Sequence, residues 1–134
     1  MLFRSDDVAD RHKAYMIEND LQSIGMNKNQ THKPLSAIGI ITPAFALGIM
    51  YVMEGSTLGG RFILKNINEA LGYTGETGAQ YFAGYGNATG SRWKNFINQM
   101  AQYEEENNNG EEIIDGANYA FDTINKYFFE NTPQ

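Results

Sequence analysis

The residues of this sequence most suited to chemistry are three glycines in a segment that is otherwise helical in character. Gly55, Gly59 and Gly60 lie within YVMEGSTLGGRFILKN, which covers residues 51–66. A glycine inside a helix costs about 0.5–1 kcal/mol relative to alanine, so this cluster requires a reason. Either another helix crosses closely at this point, or the bare backbone lies against a flat ligand or a bend in the helix.

Positively charged side chains favour the ligand interpretation. Arg61 directly follows the glycines, and Arg92 and Lys94 flank Trp93. A tetrapyrrole would need bare backbone against its ring and cations beside its peripheral carboxylates. The alternative is that Arg92 and Lys94 are the solvent-side neighbours of a core tryptophan.

Other kinds of catalytic or metal site have little support. The sequence contains no cysteine, which excludes disulfides and thiolate nucleophiles or metal ligands. Its two histidines, His12 and His32, are too far apart in sequence for a His-x-x-x-His metal pair. No nucleophile-elbow motif is present, and the GSTLG run at residues 55–59 lacks the preceding strand that this motif needs.

Charge and hydropathy limit the partners of the chain. The formal net charge is −6, with ten Lys and Arg in total, which argues against nucleic-acid binding. The most apolar run, residues 38–53, is interrupted by Thr42 and Pro43 and is too short to span a bilayer. No apolar stretch of the kind found in signal peptides follows Arg4. We therefore expect one cytoplasmic domain over residues 1–134, with small-molecule partners and no membrane contact.

The first predicted helix begins at the capping residue Ser5 and ends near Gly25. Its buried stripe is predicted from apolar residues at helical spacing: Ala14, Ile17, Leu21 and Ile24. A polar loop follows at residues 26–34. The apolar run of residues 35–41 could form a buried loop, a short strand or one helical turn.

A long second helix is predicted from Thr42-Pro43, where a capping hydroxyl precedes a proline at the first helical position. The pattern continues to Leu71, and Gly72 is suited to end the helix. The glycine cluster lies near the middle of this helix, where we expect a bend.

Three shorter helical segments complete the predicted fold. Residues 75–86 suit one or two helical turns, and Thr89 or Ser91 begins a helix. That helix has an apolar face formed by Trp93, Phe96, Ile97 and Met100. The last helix, Glu111–Glu130, has one apolar side: Ile113, Ile114, Ala117, Ala120, Phe121, Ile124 and Phe128. The predicted class is all-α with about five helices.

The segment YVMEGSTLGG at residues 51–60 resembles the distal-helix motif of bacterial haem oxygenases of the biliverdin-producing, phytochrome-associated kind. Residues 11–21 resemble the Arg/Lys-rich helix of that family, which ends in Asp-Leu, and residues 86–96 resemble its Tyr-Gly, Trp and Phe segment. Residues 117–121 resemble its Ala-x-x-Thr-Phe pattern, although Ala120 stands in the place of the threonine. The resemblance implies a haem oxygenase-like helical fold.

The resemblance also implies which residues bind haem, which would be both substrate and cofactor. The distal side of haem would be lined by four residues of the motif: Gly55, Ser56, Gly59 and Gly60. Ser56 occupies the place of an aspartate that organises water in the mammalian-type enzymes. Arg92 or Lys94 would bind the haem propionates.

The proximal side of the site departs from the family pattern. The family's iron-binding histidine lies upstream of the segment that residues 11–21 resemble, so we expect this chain to be truncated and to lack that N-terminal helix. His12 could replace that histidine as iron ligand only after a rearrangement, and we expect both His12 and His32 to be exposed or capped instead. A missing helix would expose an apolar groove, filled by a ligand, by rearrangement of the chain or by a second copy in a homodimer.

Three functional hypotheses are consistent with the sequence. The resemblance implies oxidation of haem to biliverdin, carbon monoxide and iron, with dioxygen and an external electron donor such as ferredoxin. The alternative is a non-catalytic domain that keeps the fold and binds haem or a bilin, or that assembles as a homodimer. A thiaminase-like hydrolase on the same architecture would lack its thiol nucleophile.

Overall fold

The computed structural model describes residues 9–30, residue 39 and residues 41–131. Within them we number five α-helices: α1 (Ala14–Ser23), α2 (Pro43–Leu71), α3 (Gln80–Ala83), α4 (Thr89–Asn107) and α5 (Gly110–Asn131). Short 3-10 helices lie at Lys28–Gln30 and Gly86–Ala88. These residues form no strand, and only one isolated bridge joins Thr74 and Gly78. The predicted all-α class is confirmed.

Helix α2 forms over the residues that the local signals predict. The Thr42 side-chain oxygen accepts a hydrogen bond from the amide of Phe45 at 3.2 Å, and Pro43 occupies the first turn. Gly72 ends the helix in the left-handed conformation, with φ 78°. All residues between these ends are helical, including the glycine cluster. Neither α2 nor any other described helix combines the length and apolar character needed to cross a membrane.

The closest helix crossing uses two glycines outside the predicted cluster. A Cβ atom on Gly48 of α2 would collide with the carbonyl oxygen of Ile113 on α5. A Cβ atom on Gly116 of α5 would collide in the same way with the carbonyl oxygen of Phe45. The absence of both side chains therefore allows the backbones of α2 and α5 to touch.

Helix α4 completes the hydrophobic core against α2 and α5. The centre of the core consists of Ala44, Leu47, Phe96 and Ile113. The Trp93 ring stacks on Phe96 with centroids 6.0 Å apart, and Ile97 and Met100 pack against the same cluster. All four residues of the predicted apolar face of α4 therefore contribute to the core.

The prediction for the first helix is wrong in two respects. The helical conformation is interrupted between Asp10 and Ala14, so the helix predicted from Ser5 onwards is not continuous. No residue of α1 is buried, and Ile17 and Ile24 are 42% and 48% exposed. The inward-facing side chains of this segment are instead the cations that precede α1. The predicted cap at Ser5 lies outside the described residues.

The apolar side of α5 is wider than the surface that covers it. Ile113 and Ala120 are buried against the core, whereas Ile114 and Phe121 are 61% and 55% exposed. The predicted stripe is therefore buried along one edge and open along the other. The helix begins at Gly110, one residue before the predicted start.

The crossing of α2 and α5 provides a stability test. We expect Gly48→Ala to lower the free energy of unfolding by about 2 kcal/mol or more, because the new methyl group meets backbone that cannot rotate away. Gly90→Ala on α4 is the matched control, since no heavy atom would lie within 4 Å of its Cβ, and it should be neutral or slightly stabilising. Urea denaturation measures both variants. Equal free energies of unfolding for Gly48→Ala and the wild type would contradict the close contact between the backbones of α2 and α5.

Candidate functional site

The most tightly connected polar side chains surround Glu54 on α2. Its carboxylate lies in the interior, with the residue 3% exposed. Oε2 accepts hydrogen bonds from Nη1 of Arg11 and from the hydroxyl of Tyr85, each at 2.8 Å. Oε1 accepts a hydrogen bond from Nζ of Lys13, also at 2.8 Å. We refer to Arg11, Lys13, Glu54 and Tyr85 as the Glu54 cluster.

Both cations of the Glu54 cluster are also buried, with Arg11 5% and Lys13 8% exposed. Nζ of Lys13 makes two further hydrogen bonds, to the carbonyl oxygen of Arg11 at 2.9 Å and to the Tyr85 hydroxyl at 2.8 Å. The Arg11 guanidinium also lies over the Phe96 ring, 5.5 Å from its centroid. Buried charges are tolerated when they are paired and hydrogen-bonded in this way.

Tyr85 brings the connection between α3 and α4 into the cluster. Two cations lie over its ring, with Nζ of Lys13 4.6 Å and the Arg92 guanidinium carbon 4.9 Å from the centroid. Burial, followed by the hydrogen bond to Glu54, raises the pKa of Tyr85 well above its ordinary value. The phenol therefore keeps its proton and acts as a hydrogen-bond donor to the carboxylate.

A second carboxylate connects α1 to the same region. Asp20 accepts hydrogen bonds from the backbone amides of Gln80 at 2.7 Å and Tyr81 at 2.9 Å. These are amides of the first turn of α3, which need an acceptor and favour a negative charge. Asp20 therefore caps α3 from another helix, and the N-terminal segment holds both α2 and the α3 region.

Two glycines of the predicted haem motif face other parts of the protein. A Cβ atom on Gly60 would lie 2.7 Å from the carbonyl oxygen of Phe82, so α3 approaches the backbone of α2 at this point. A Cβ atom on Gly55 would lie 3.3 Å from the Trp93 ring. In this conformation both positions are in contact with protein.

The third glycine opens onto solvent. No heavy atom would lie within 4 Å of a Cβ atom on Gly59. Phe62 and Ile63 follow on the same side of the helix, 75% and 46% exposed, and Ser56 precedes them, also exposed. We refer to Ser56, Gly59, Phe62 and Ile63 as the Gly59 surface. Bare backbone beside apolar side chains is suited to a flat and largely apolar ring.

The predicted propionate ligands lie on α4, away from one another. Arg92 is half-buried with its guanidinium against the Tyr85 ring, whereas Lys94 is exposed. Two residues separated by one position on a helix point to different sides. The structure therefore brings Arg92 to the Glu54 cluster and leaves Lys94 in solvent.

The predicted iron ligand His12 is exposed and lies between two residues of the Glu54 cluster. Successive residues of a helix are about 100° apart around its axis, so the directions of positions 54 and 59 of α2 differ by about 140°. His12 is therefore held on a different side of α2 from the Gly59 surface. His32 lies outside the described residues, and the described part of the chain contains no group of three His, Asp or Glu side chains that could hold a metal ion.

The sequence interpretation missed Glu54 and Asp20 as structural centres. A signal existed for Glu54, because it falls on the buried side of α2, two helical turns after Leu47. A carboxylate at such a position indicates a buried ion pair. No comparable signal exists for Asp20, since its partner Gln80 is 60 positions away in sequence.

Comparison with known proteins identifies one family. The family model described as Heme oxygenase matches residues 1–131, a range that includes the Glu54 cluster and the Gly59 surface. No curated protein and no solved structure matches the chain significantly.

The Glu54 cluster provides a second stability test. We expect Glu54→Gln to lower the free energy of unfolding by about 3–5 kcal/mol, because two buried cations would lose their counter-charge. Glu69→Gln is the matched control, since its contact with Lys65 is 4.0 Å long and both side chains are mainly exposed. The control should change stability by less than about 0.5 kcal/mol. Similar losses in the two variants, measured by urea denaturation, would contradict a stabilising role for the cluster.

Proposed function

Because the chain belongs to the haem oxygenase family, we propose that it binds haem at the Gly59 surface and opens the ring to biliverdin, carbon monoxide and iron. The family supports a haem-degrading oxygenase, with haem as the ligand. The Gly59 surface is the observation on this chain that carries the proposal. Haem supplies both the ring to be cleaved and the redox metal, while dioxygen and an electron donor such as ferredoxin complete the reaction.

The Gly59 surface fits the ring of haem. The absence of a side chain at Gly59 lets a planar group approach the backbone of α2, and Phe62 and Ile63 provide exposed apolar area beside it. Burying such area is favourable by about 25 cal/mol per Å². The close contacts of Gly55 and Gly60 with their neighbours hold this part of α2 in place, so that the surface is formed before the ligand arrives.

The described residues do not fit the iron in the same way. No described histidine lies at the Gly59 surface, and His12 is held on another side of α2. We therefore assign to this chain the binding of the ring and its partial shielding from water, and we assign no residue to the iron. Lys94 is the candidate for a propionate, because its ammonium group is exposed on α4.

A hemin titration followed by visible absorption tests the proposal. We expect saturable binding with a Soret band distinct from that of free hemin, followed by biliverdin absorption when ascorbate or ferredoxin and its reductase are added. Gly59→Leu should weaken binding at least tenfold, since its side chain would occupy the bare surface. Gly90→Leu on α4 is the control at an equally open position. His12→Ala should leave the spectrum unchanged.

Three outcomes would contradict the proposal. Absorbance like that of free hemin at equimolar protein would show that the protein does not bind haem. If Gly59→Leu bound hemin with wild-type affinity, the Gly59 surface would not be the haem site. Saturable hemin binding without formation of biliverdin would show that the chain does not catalyse the oxygenase reaction. It would favour the non-catalytic haem- or bilin-binding alternative.

A homodimeric assembly domain is a second candidate, favoured by the large apolar side chains at the surface. Phe62 on α2 is 75% exposed, and Phe121 and Phe129 on α5 are 55% and 78% exposed. Exposed apolar area of this kind often marks an interface between proteins. Two copies related by a two-fold axis would bury the same residues on both chains.

Size-exclusion chromatography with light scattering tests this second candidate. We expect a dimer at micromolar concentrations, and we expect Phe121→Glu to shift it to monomer because a charge would enter the interface. Asn98→Glu, which adds the same charge at an exposed position of α4, is the control. A monomer at all concentrations would contradict homodimerisation.

A further inference from the structure

A cleft of about 450 Å³ lies between α2 and the connection that leads from α2 to α4. Helix α2 contributes Arg61, Leu64 and Lys65 to its walls. The volume is within the range of small-molecule sites, about 300–1,000 Å³. The directions of positions 59 and 61 around the axis of α2 differ by about 160°, so Arg61 and the cleft lie on a different side of the helix from the Gly59 surface.

The cleft is positively charged in a chain whose net charge is −6. The two charged residues that line it are Arg61 and Lys65, and no acidic side chain is among its walls. Within the described part of the chain, no carboxylate forms an ion pair with Arg61, and Lys65 reaches only Glu69, at 4.0 Å and in solvent. Like charges four residues apart on a helix repel each other. An anion between the two cations would attract both of them and so offset that repulsion.

The opposite wall of the cleft exposes backbone. Gly75 and Gly86 line it, and Gly86 has a positive φ of 60° with no heavy atom within 4 Å of a Cβ position. The adjacent Asn87 is exposed and adds an amide group that can donate hydrogen bonds. Leu64 and Ala83 add apolar area. The walls therefore combine cations and a polar donor with a small apolar surface.

We propose that this cleft binds a small molecule that carries phosphate or carboxylate groups. The guanidinium of Arg61 contacts two oxygens of the anion, and the ammonium of Lys65 contacts a third. Because Gly86 directly follows Tyr85 of the Glu54 cluster, the bound anion connects α2 to the segment that the cluster already holds. Binding therefore stabilises the folded chain by mass action. The site is independent of the proposed haem function.

Titration with sodium pyrophosphate and, separately, with sodium succinate tests the proposal. Each titration is monitored by calorimetry and by amide NMR spectra at constant ionic strength. We expect saturable shifts at the amides of Gly75, Gly86 and Asn87 with at least one anion, and the tighter anion identifies phosphate or carboxylate as the preferred group. The melting temperature should rise with the same anion.

Variants locate the binding in the cleft. Arg61→Gln should weaken binding at least tenfold and Lys65→Gln several-fold, whereas Lys126→Gln on α5 removes an equal charge from an exposed position elsewhere and should bind as the wild type does. Gly59→Leu should also keep wild-type pyrophosphate affinity, which separates this site from the haem proposal. The absence of saturation with both anions, or unchanged affinity in Arg61→Gln, would overturn the proposal.

Discussion

The structure depends on one buried carboxylate. An ionised side chain in the interior is strongly unfavourable unless hydrogen-bond donors and opposite charges surround it. Glu54 is satisfied by groups from two distant segments, with Arg11 and Lys13 from the N-terminal side and Tyr85 from the C-terminal side. The N-terminal segment must therefore lie across α2, and the connection before α4 must return to the same point.

This arrangement explains the course of the chain before and after α2. The helical conformation stops between Asp10 and Ala14, where two cations turn inward instead of facing solvent on a regular helix. The segment then continues into α1, whose Asp20 caps α3. Since α3 also touches the backbone of α2 at Gly60, the middle of α2 is held both at Glu54 and at Gly60. A rigid α2 is what a bare surface for a flat ligand requires.

The cations of this acidic protein serve different purposes according to their surroundings. Arg11 and Lys13 are buried and neutralise Glu54, so they are unavailable to a ligand. Arg61 and Lys65 line a cleft without a carboxylate in its walls. A haem ring on the Gly59 surface and an anion in the cleft would lie on opposite sides of α2. The family assignment supports haem as a ligand of the chain, and the cleft is argued from its own geometry.

The sequence by itself determined the elements whose signals are local. The ends of α2 follow from Thr42, Pro43 and Gly72, because a cap involves residues within one turn of each other. The buried face of α4 follows from apolar spacing alone. Only the tertiary structure decided which charged side chains and which glycines face inward. Arg11 is buried because its partner Glu54 lies 43 positions away. The glycines of α2 differ for the same reason, since the backbones of α5 and α3 and a tryptophan of α4 approach three of them and nothing approaches Gly59.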